Sequence, residues 1–255
     1  MRIAMFQMDV SWLDPDKNLQ KIQNICSQIS GKTDLLILPE MFSTGFVLNT
    51  NLLDPVWQHN VIKSITTLCI KYNLTIAGSI PFFNNGRWTN TMITVNGSGL
   101  IHEYDKVHLF TPAGENNEYV PGEKATVWSL ENWVILPLIC YDLRFPNLSF
   151  SEEHPHVLIY SANWPESRIH HWDALLKARA IENQCYVIGV NRVGTDENGY
   201  VYPGHSLVCD FKGDLLLSMD KYKNFDLIDL DFESMMEYRK KLPFQDDRKY
   251  CEIKV

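Results

Sequence analysis

The sequence has no long hydrophobic run and no excess of basic residues. Its 255 residues include 23 Lys and Arg against 31 Asp and Glu, which gives a formal net charge of −8. Non-specific binding of nucleic acid and docking on anionic membranes both need a basic surface, so we expect neither a nucleic-acid partner nor a membrane partner. No apolar stretch approaches the roughly 20 residues that cross a bilayer. These absences favour chemistry on a small molecule.

The chain also shows no export signal and no framework of paired cysteines. The stretch from Met1 to Asp9 contains one basic residue and reaches an acid too early for a signal peptide, so it predicts a first strand instead. The six cysteines are irregularly spaced and form no CxxC unit. Without an export signal, such cysteines are typical of reduced thiols rather than of disulfides. We therefore expect a cytoplasmic protein.

Signatures of several other enzyme classes are missing. There is no GxGxxG or GxxxxGKS/T run for a nucleotide and no GxSxG elbow for a serine hydrolase. The eight histidines include the close pairs His154 with His156 and His170 with His171, but none has metalloprotease or zinc-finger spacing. The sequence therefore predicts no metal site and no nucleotide cofactor.

Apolar runs alternate with helical periodicities along the whole chain, and 45% hydrophobic residues suffice for a packed core. The predicted helices lie at about 15–30, 55–72, 169–183 and 231–241. The predicted strands lie at 1–9, 34–39 and 74–80, in a hairpin over 87–106, in two strands that end at Cys140, at 157–161 and 185–191, and around a hairpin turn at 211–214.

Buried strands that alternate with helices and are joined to hairpins are typical of a layered α/β architecture. We expect two mixed β-sheets with helices packed on the outside. No segment has low complexity, a block of charge or a linker composition rich in Pro, Gly or Ser. The sequence therefore predicts a single domain over residues 1–255.

Cys140 has a setting that no other cysteine of the chain shares. It ends the apolar run Trp133–Cys140 and precedes the polar turn Tyr141–Pro146, so its thiol is expected at the rim of a sheet, where functional residues gather. The remaining cysteines are expected to be small apolar or surface residues: Cys26, Cys69, Cys185, Cys209 and Cys251.

Three further polar side chains follow apolar strands or lie in the loops after them: Glu40, Lys106 and Glu115. With Cys140 they would supply a base, a cation, a carboxylate and a nucleophile, which is the set that acyl transfer through a thiol requires. A free thiol with a pKa of roughly 8.5 is only slightly ionised at neutral pH, so Glu40 is the expected base. Lys106 and the backbone N–H of Tyr141 are the expected oxyanion donors. Polar residues end many strands, so position alone does not single out this set.

The segments around these residues are more specific. They occur in the order Leu38–Phe42 (LPEMF), Tyr104–Phe110 (YDKVHLF) and Ile139–Pro146 (ICYDLRFP). In that order they resemble the three signature segments of the nitrilase superfamily, the carbon–nitrogen hydrolases. The resemblance extends over nearly the whole chain, through Ser161–Pro165, Lys177–Asn183, Val190–Arg192 and Gly204–Ser206.

By this resemblance, Glu40 is the general base, Lys106 the oxyanion cation and Cys140 the nucleophile. Glu115 fits the second glutamate of the family, seven residues before Gly122, although Glu118 lies in the same loop. The resemblance also implies a four-layer αββα sandwich, a homodimer, and a reaction that needs neither cofactor nor metal.

Within the superfamily, the short chain and the segments Pro39–Phe46, Ala77–Ile80 and Asn163–Pro165 look most like the omega-amidases. That likeness implies hydrolysis of the distal amide of 2-oxoglutaramate and 2-oxosuccinamate to ammonia and a 2-oxo dicarboxylate. The implied cycle forms a thioester at Cys140, releases ammonia with a proton relayed through Glu40, and ends with attack by water.

An anionic substrate needs a cationic contact for its carboxylate. Arg168 is the expected contact, with a solvated surface arginine as the alternative. Arg144 is expected to form an internal ion pair with Asp142 or another acid. Trp164 and Phe42 are the candidates for the pocket walls, and simple packing is the alternative for both.

Other substrates fit the same thioester chemistry, because pocket loops decide the substrate. A hydrolase of N-carbamoyl amines or aliphatic amides is the main enzymatic alternative, whereas nitrilases are usually longer chains. A non-catalytic binding module is a distant alternative that loss of Cys140, Glu40 or Lys106 would favour, and all three are present. His108 and His205 lie near motif positions and are expected to support the site.

Overall fold

The computed structural model describes residues 1–248, so Cys251 lies outside the described residues. The strands are β1 (Arg2–Phe6), β2 (Leu35–Ile37), β3 (Thr75–Asn84), β4 (Arg87–Asn96), β5 (Gly99–Asp105), β6 (Trp128–Leu130), β7 (Trp133–Ile139), β8 (Val157–Ala162), β9 (Tyr186–Asn191), β10 (Val193–Thr195), β11 (Val201–Pro203), β12 (Leu207–Cys209), β13 (Leu215–Ser218) and β14 (Phe225–Asp229).

The α-helices are α1 (Pro15–Ile29), α2 (Val56–Tyr72), α3 (Glu115–Glu118), α4 (Ile169–Asn183) and α5 (Phe232–Lys241). The ends of α1 follow the sequence signals closely. The Asp14 side chain caps the helix by accepting from Lys17 N at 3.0 Å, and Pro15 is its first residue. The predicted apolar stripe of α1 is buried at Ile22, Ile25, Cys26 and Ile29. Short 3₁₀ turns lie at Thr50–Leu52, Thr111–Ala113, Cys140–Arg144, Pro146–Ser149 and Glu166–Arg168.

The strands form two six-stranded sheets and a two-stranded ribbon. The first sheet has the order β14-β1-β2-β3-β4-β5 and is parallel from β1 to β3. The second has the order β13-β12-β9-β8-β7-β6 and is parallel from β7 to β9. The outer pairings of both sheets are antiparallel, which confirms the prediction of two mixed sheets.

The alternation of side chains along the strands separates the layers. In β1, Ile3 and Met5 belong to an apolar cluster shared with the second sheet, whereas Ala4 and Phe6 pack in a cluster with α1 and α2. Helices α4 and α5 add their apolar faces to the second sheet. The layers therefore run helix, sheet, sheet, helix, and the predicted αββα sandwich is confirmed.

Several elements differ from the sequence-based expectation. Strand β3 continues through Asn84 instead of ending at Ile80, because its last residues pair with the start of β4. The ribbon β10–β11 and the strand β14 are not predicted, since short or half-buried strands give little alternation. None of the helices in residues 1–248 combines the length and apolar character needed to cross a bilayer.

Candidate active site

The four polar residues singled out in the sequence meet where strands of both sheets end. Glu40 lies three residues after β2, and Lys106 and Cys140 directly follow β5 and β7. Glu115 is the first residue of α3. Glu40, Lys106 and Cys140 line a cavity of about 230 Å³, and Glu115 is fully buried against Lys106. The fold therefore gathers residues that lie up to a hundred positions apart in the sequence.

The ammonium group of Lys106 lies between two carboxylates. Its Nζ donates to Glu40 Oε1 at 2.7 Å and to Glu115 Oε2 at 2.9 Å, and both ion pairs are buried. Burial by itself lowers the pKa of Lys106, but the charges of Glu115 and Glu40 outweigh it and hold this pKa above its ordinary value. The side chain is therefore a fixed cation at neutral pH.

The carboxylate of Glu40 is held from several directions. Besides Lys106, its Oε1 accepts from Asn90 Nδ2 at 2.8 Å, and its Oε2 accepts from the backbone N–H of Asn163 at 2.9 Å. Asn163 Nδ2 also donates to the backbone carbonyl of Glu40 at 3.1 Å. The carbonyl of Asn163 in turn lies 3.9 Å from Cys140 Sγ. Asn163 thus links the carboxylate to the thiol.

Cys140 is the first residue of a 3₁₀ turn and has a left-handed backbone with φ 43°. Residues other than glycine hold this conformation only where the surroundings enforce it, commonly at functional sites. Burial, followed by the charge of Glu40, raises the pKa of the Cys140 thiol well above its ordinary value, although Lys106 opposes the shift. The resting thiol is therefore neutral, and its sulfur needs a base before it can attack.

The remaining cysteines in the described part of the chain are free and buried, as the sequence predicts: Cys26, Cys69, Cys185 and Cys209. Tyr141 lines the cavity next to Cys140. Its N–H belongs to the start of the 3₁₀ turn, where the first N–H groups have no carbonyl partner within the helix. The backbone position expected for an oxyanion donor therefore lies at the cavity.

The structure separates the two glutamates of the Glu115 loop. Glu115 is fully buried, and its Oε2 also accepts from the Phe110 N–H at 2.6 Å. Glu118 faces away from Lys106, because its Oε2 accepts from the backbone N–H and the hydroxyl of Thr50 at 2.9 and 2.8 Å. The geometry thus places Glu115, and not Glu118, beside the lysine.

Asn90 joins the site although no motif marks it. Its Nδ2 donates to Oε1 of both Glu40 and Glu115, at 2.8 and 3.0 Å, so that one amide bridges the two carboxylates. Asn90 is fully buried in β4. The sequence offered only one weak signal for it, a polar residue within a hairpin strand.

Of the three proposed substrate contacts, the cavity includes two. Arg168 and Trp164 line it, and the Trp164 Nε1 donates to the Arg168 carbonyl at 2.8 Å. Phe42 lies instead in the apolar cluster of the first sheet, against Gly78, so packing rather than a pocket wall accounts for its burial. Phe46, four residues later, lines the cavity in its place.

Arg144 also lines the cavity, contrary to the internal ion pair expected from the sequence. The carboxylate of Asp142 is occupied by other donors, and the Arg144 guanidinium lies 4.8 Å from the centre of the Trp164 ring. Arg144 Nη2 and His171 Nδ1 are 3.2 Å apart. Within residues 1–248 neither Arg144 nor Arg168 forms an ion pair with a carboxylate. The cavity therefore holds two cations that lack an acidic partner in the described chain.

The ribbon β10–β11 supplies a cavity wall that the sequence did not predict. Asp196, Asn198, Tyr200 and Tyr202 line the cavity from this side. The Asp196 carboxylate accepts from the backbone N–H groups of Asn198 and Tyr200 at 2.9 Å each, and from the Tyr202 hydroxyl at 2.8 Å. The hydrogen bonds of the Asp196 carboxylate are therefore made within the β10–β11 ribbon and its loop.

The histidines do not cluster. No group of three or more His, Cys, Asp or Glu side chains in residues 1–248 is arranged to hold a metal ion. His108 Nδ1 lies 3.1 Å from Asp142 Oδ1, and His205 Nδ1 lies 3.4 Å from Asp173 Oδ2. Both histidines thus contact carboxylates outside the cluster of Glu40 and Glu115.

Replacing Asn90 with leucine is expected to lower kcat by about tenfold to a hundredfold, because a hydrogen bond to a charged group contributes roughly 1.5–3 kcal/mol. Steady-state kinetics on any accepted amide would measure the change. Asn183→Leu is the matched control, because Asn183 is equally buried and donates to Ser149 Oγ away from the cavity. A fall in kcat of the same size in both variants would contradict a specific role for Asn90.

Comparison with known proteins yields relatives of the same length. A family model described as Carbon-nitrogen hydrolase matches residues 2–240. The omega-amidase YafV of Yersinia enterocolitica is 37% identical over 254 residues, which cover 98% of this chain and 98% of the relative. A 2-oxoglutaramate amidase of Bacillus subtilis (strain 168) is 32% identical over 250 residues, 96% of each chain.

Solved structures share the fold. XC1258 of Xanthomonas campestris, described as a CN-hydrolase superfamily protein with an arsenic adduct in the active site, matches with a TM-score of 0.91. It is 31% identical and the match covers 98% of both chains. Nit3 of Saccharomyces cerevisiae, a member of branch 10 of the nitrilase superfamily, matches with a TM-score of 0.86 at 26% identity, over 98% of this chain and 97% of Nit3. The sequence match and the shared fold agree, and the chain belongs to the carbon–nitrogen hydrolase family of the nitrilase superfamily.

Proposed function

We propose that this protein is a cysteine-dependent amidohydrolase that cleaves the distal amide of 2-oxoglutaramate and 2-oxosuccinamate through a thioester at Cys140. One observation carries the proposal. The cavity that Cys140, Glu40 and Lys106 line is also lined by Arg144 and Arg168. The names of the omega-amidase and 2-oxoglutaramate amidase relatives, at 37% and 32% identity, support the same substrate class.

The first step is attack of the Cys140 sulfur on the amide carbonyl carbon. Because the thiol is neutral at rest, its proton passes to the Glu40 carboxylate as the C–S bond forms. The carbonyl π electrons move onto oxygen and give a tetrahedral oxyanion. Lys106 Nζ and the Tyr141 N–H stabilise this charge, each donor in comparable sites contributing on the order of 3 kcal/mol.

Collapse of the tetrahedral intermediate breaks the C–N bond. The nitrogen leaves as ammonia after it takes the proton from Glu40, and the acyl group remains on Cys140 as a thioester. Glu40 then takes a proton from a water molecule that attacks the thioester carbonyl. A second collapse breaks the C–S bond, returns that proton to the sulfur and releases the 2-oxo acid, which loses the remaining water proton to solvent and becomes the dicarboxylate.

The fixed position of Glu40 suits it for both proton transfers. Lys106, Asn90 and Asn163 all donate to its carboxylate, so its orientation changes little between the two half-reactions. Glu115 also pairs with Lys106 and supplies a second negative charge beside it. The cluster thus keeps a base and an oxyanion cation in contact with each other.

The two arginines account for the anionic end of the substrate. The guanidinium of Arg168 lies 5.4 Å from the centre of the Phe110 ring, and that of Arg144 lies over Trp164. Stacking on aromatic rings fixes a guanidinium plane while leaving its N–H donors available. A carboxylate bound by these donors would place the distal amide toward Cys140. We propose Arg168 as the main contact and Arg144 as a second one.

Arg168→Ala is expected to lower kcat/KM for 2-oxoglutaramate by about tenfold to a hundredfold, the usual effect of losing a charged hydrogen bond. A neutral aliphatic amide should lose much less. Arg87→Ala, at an exposed position of β4, is the control for a lost surface charge. Equal losses on the anionic and neutral amides would remove Arg168 from the carboxylate-binding role.

The function itself is tested by ammonia release from 2-oxoglutaramate, with an N-carbamoyl amine and a neutral aliphatic amide in parallel. Release from the 2-oxo amide alone, dependent on Cys140, is the expected result. Turnover of another substrate instead would leave the cysteine hydrolase mechanism standing and show that the proposed substrate is wrong. If none of the three substrates releases ammonia, a non-catalytic binding module is favoured.

Assembly and location remain proposals. We propose a homodimer, on the strength of the family resemblance, and a cytoplasmic location, where free thiols such as those of the described cysteines persist. Light scattering on the purified protein measures the first, and cell fractionation measures the second.

A further inference from the structure

We propose that Asp142 is a positioning residue, which ties the turn of the nucleophile Cys140 to the loop of Lys106. The inference rests on the proposed function in one respect, the assignment of Cys140 as nucleophile and Lys106 as its partner. Asp142 is fully buried and is not among the residues that line the cavity. It therefore acts through other residues and does not touch the substrate.

One oxygen of Asp142 anchors the strand that delivers Cys140. Its Oδ2 accepts from the backbone N–H of Ile139 at 3.0 Å, and Ile139 is the last residue of β7. The same oxygen accepts from the hydroxyl of Tyr104, in β5, at 2.7 Å. Because Cys140 has a left-handed backbone, the residue before it must be held in place for the turn to persist.

The other oxygen anchors the loop that follows Lys106. Asp142 Oδ1 accepts from the backbone N–H of His108 at 3.0 Å and lies 3.1 Å from His108 Nδ1. The His108 ring is stacked on Phe145, with 3.7 Å between ring centres, at the end of the Cys140 turn. The histidine therefore contacts the turn of the nucleophile through both its imidazole and its backbone.

These contacts join the two sheets at the site. Lys106 follows a strand of the first sheet and Cys140 follows a strand of the second, so no backbone ladder sets the distance between them. An ionised carboxylate has about four acceptor sites. The Tyr104 hydroxyl and the backbone N–H groups of Ile139 and His108 occupy three of them, and His108 Nδ1 lies within hydrogen-bond distance as well. A single carboxylate thus fixes the register between the oxyanion cation and the nucleophile.

Asparagine at position 142 keeps the size of the side chain and breaks this link. One of the two carboxylate oxygens is replaced by an NH₂ group. This group is itself a donor, so it cannot accept the hydrogen bonds that the oxygen accepted. A displacement of about 1 Å between reacting groups is enough to cost on the order of a hundredfold in rate. We expect Asp142→Asn to lower kcat by that factor and to leave KM nearly unchanged, because the cavity wall is intact.

The test compares Asp142→Asn with Asp210→Asn in the full chain. Asp210 is also buried, and its Oδ1 also accepts two backbone N–H groups, from Lys212 and Asp214. Two measurements are made on each protein: kcat and KM for 2-oxoglutaramate, and the rate at which iodoacetamide alkylates Cys140, followed by peptide mass spectrometry. The alkylation rate needs no substrate, so it tests the positioning even if the proposed substrate is wrong.

We expect kcat and the alkylation rate to fall in Asp142→Asn and to stay at wild-type values in Asp210→Asn. Circular dichroism should show that both variants are folded. If Asp142→Asn is folded and has the wild-type kcat and alkylation rate, the inference is wrong. If that variant does not fold, His108→Phe replaces it, because phenylalanine keeps the stack on Phe145 and removes only the Nδ1 contact. A smaller fall in both measurements then supports the link, and wild-type values overturn it.

Discussion

Cys140→Ala is expected to abolish amide hydrolysis while leaving the fold intact. Loss of a catalytic nucleophile costs on the order of 10⁶-fold in kcat where the remaining groups act as a unit with it. The proposed mechanism meets that condition, since Glu40 has no thiol proton to take once the sulfur is gone. Ammonia release from 2-oxoglutaramate by the purified variant measures the loss. Alanine adopts the left-handed backbone of position 140 no less readily than cysteine, so the melting temperature should change little.

Cys209→Ala serves as the matched control for this experiment. Cys209 is a free, buried thiol in β12, away from the cavity, so its loss removes the same atom without touching the site. Its activity should match that of the wild type. A thioester adduct should also be detectable by mass spectrometry in the Cys209→Ala protein and absent from Cys140→Ala. Turnover that survives in Cys140→Ala would refute the thioester mechanism.

The sequence predicted the parts of the site that sit at strand ends. Glu40 and Cys140 follow apolar runs and Lys106 ends a hairpin arm, and the motifs around them are long enough to identify the family and its fold. Strand ends commonly carry functional residues, but Lys106 and Cys140 follow strands of different sheets. The motifs, and not strand position alone, therefore pointed to a shared site. The alternation of buried strands and helices predicted two mixed sheets with outer helices, and the family resemblance implied the αββα order of the layers.

The parts that were missed depend on tertiary contacts. Asn90 lies in mid-strand, and its bridging role exists only because the chain brings Glu40 and Glu115 to it from two other segments. Arg144 was expected to pair with Asp142, two residues before it, or with another acid. In the structure, the Asp142 carboxylate accepts hydrogen bonds from donors in β5, in β7 and in the His108 loop. Arg144 lines the cavity instead. Sequence neighbours in a 3₁₀ turn point in different directions, and the pattern alone could not show this.

Lys106→Met is expected to lower kcat by about a thousandfold, the upper end of what one oxyanion donor contributes in comparable sites. KM for 2-oxoglutaramate should change little, because the arginines and not Lys106 are proposed to hold the carboxylate. A variant altered only in KM would contradict the oxyanion role. The effect should persist across neutral pH. Because the pKa of Lys106 in the folded protein is raised, the lysine stays charged at any pH up to its ordinary pKa of roughly 10.4. Its contribution to the stability of the fold is lost only at higher pH.

The same substitution should also destabilise the protein, by about 3–5 kcal/mol, because it leaves two buried carboxylates without their cation. This loss has to be separated from the loss of rate. The double variant Lys106→Met/Glu115→Gln removes one of the unpaired charges, so chemical denaturation should show that part of the stability returns. Its kcat should stay as low as that of Lys106→Met, since neither variant can donate to the oxyanion from position 106. Recovery of kcat together with stability would mean that Lys106 acts through the fold of the cluster and not on the reacting carbonyl.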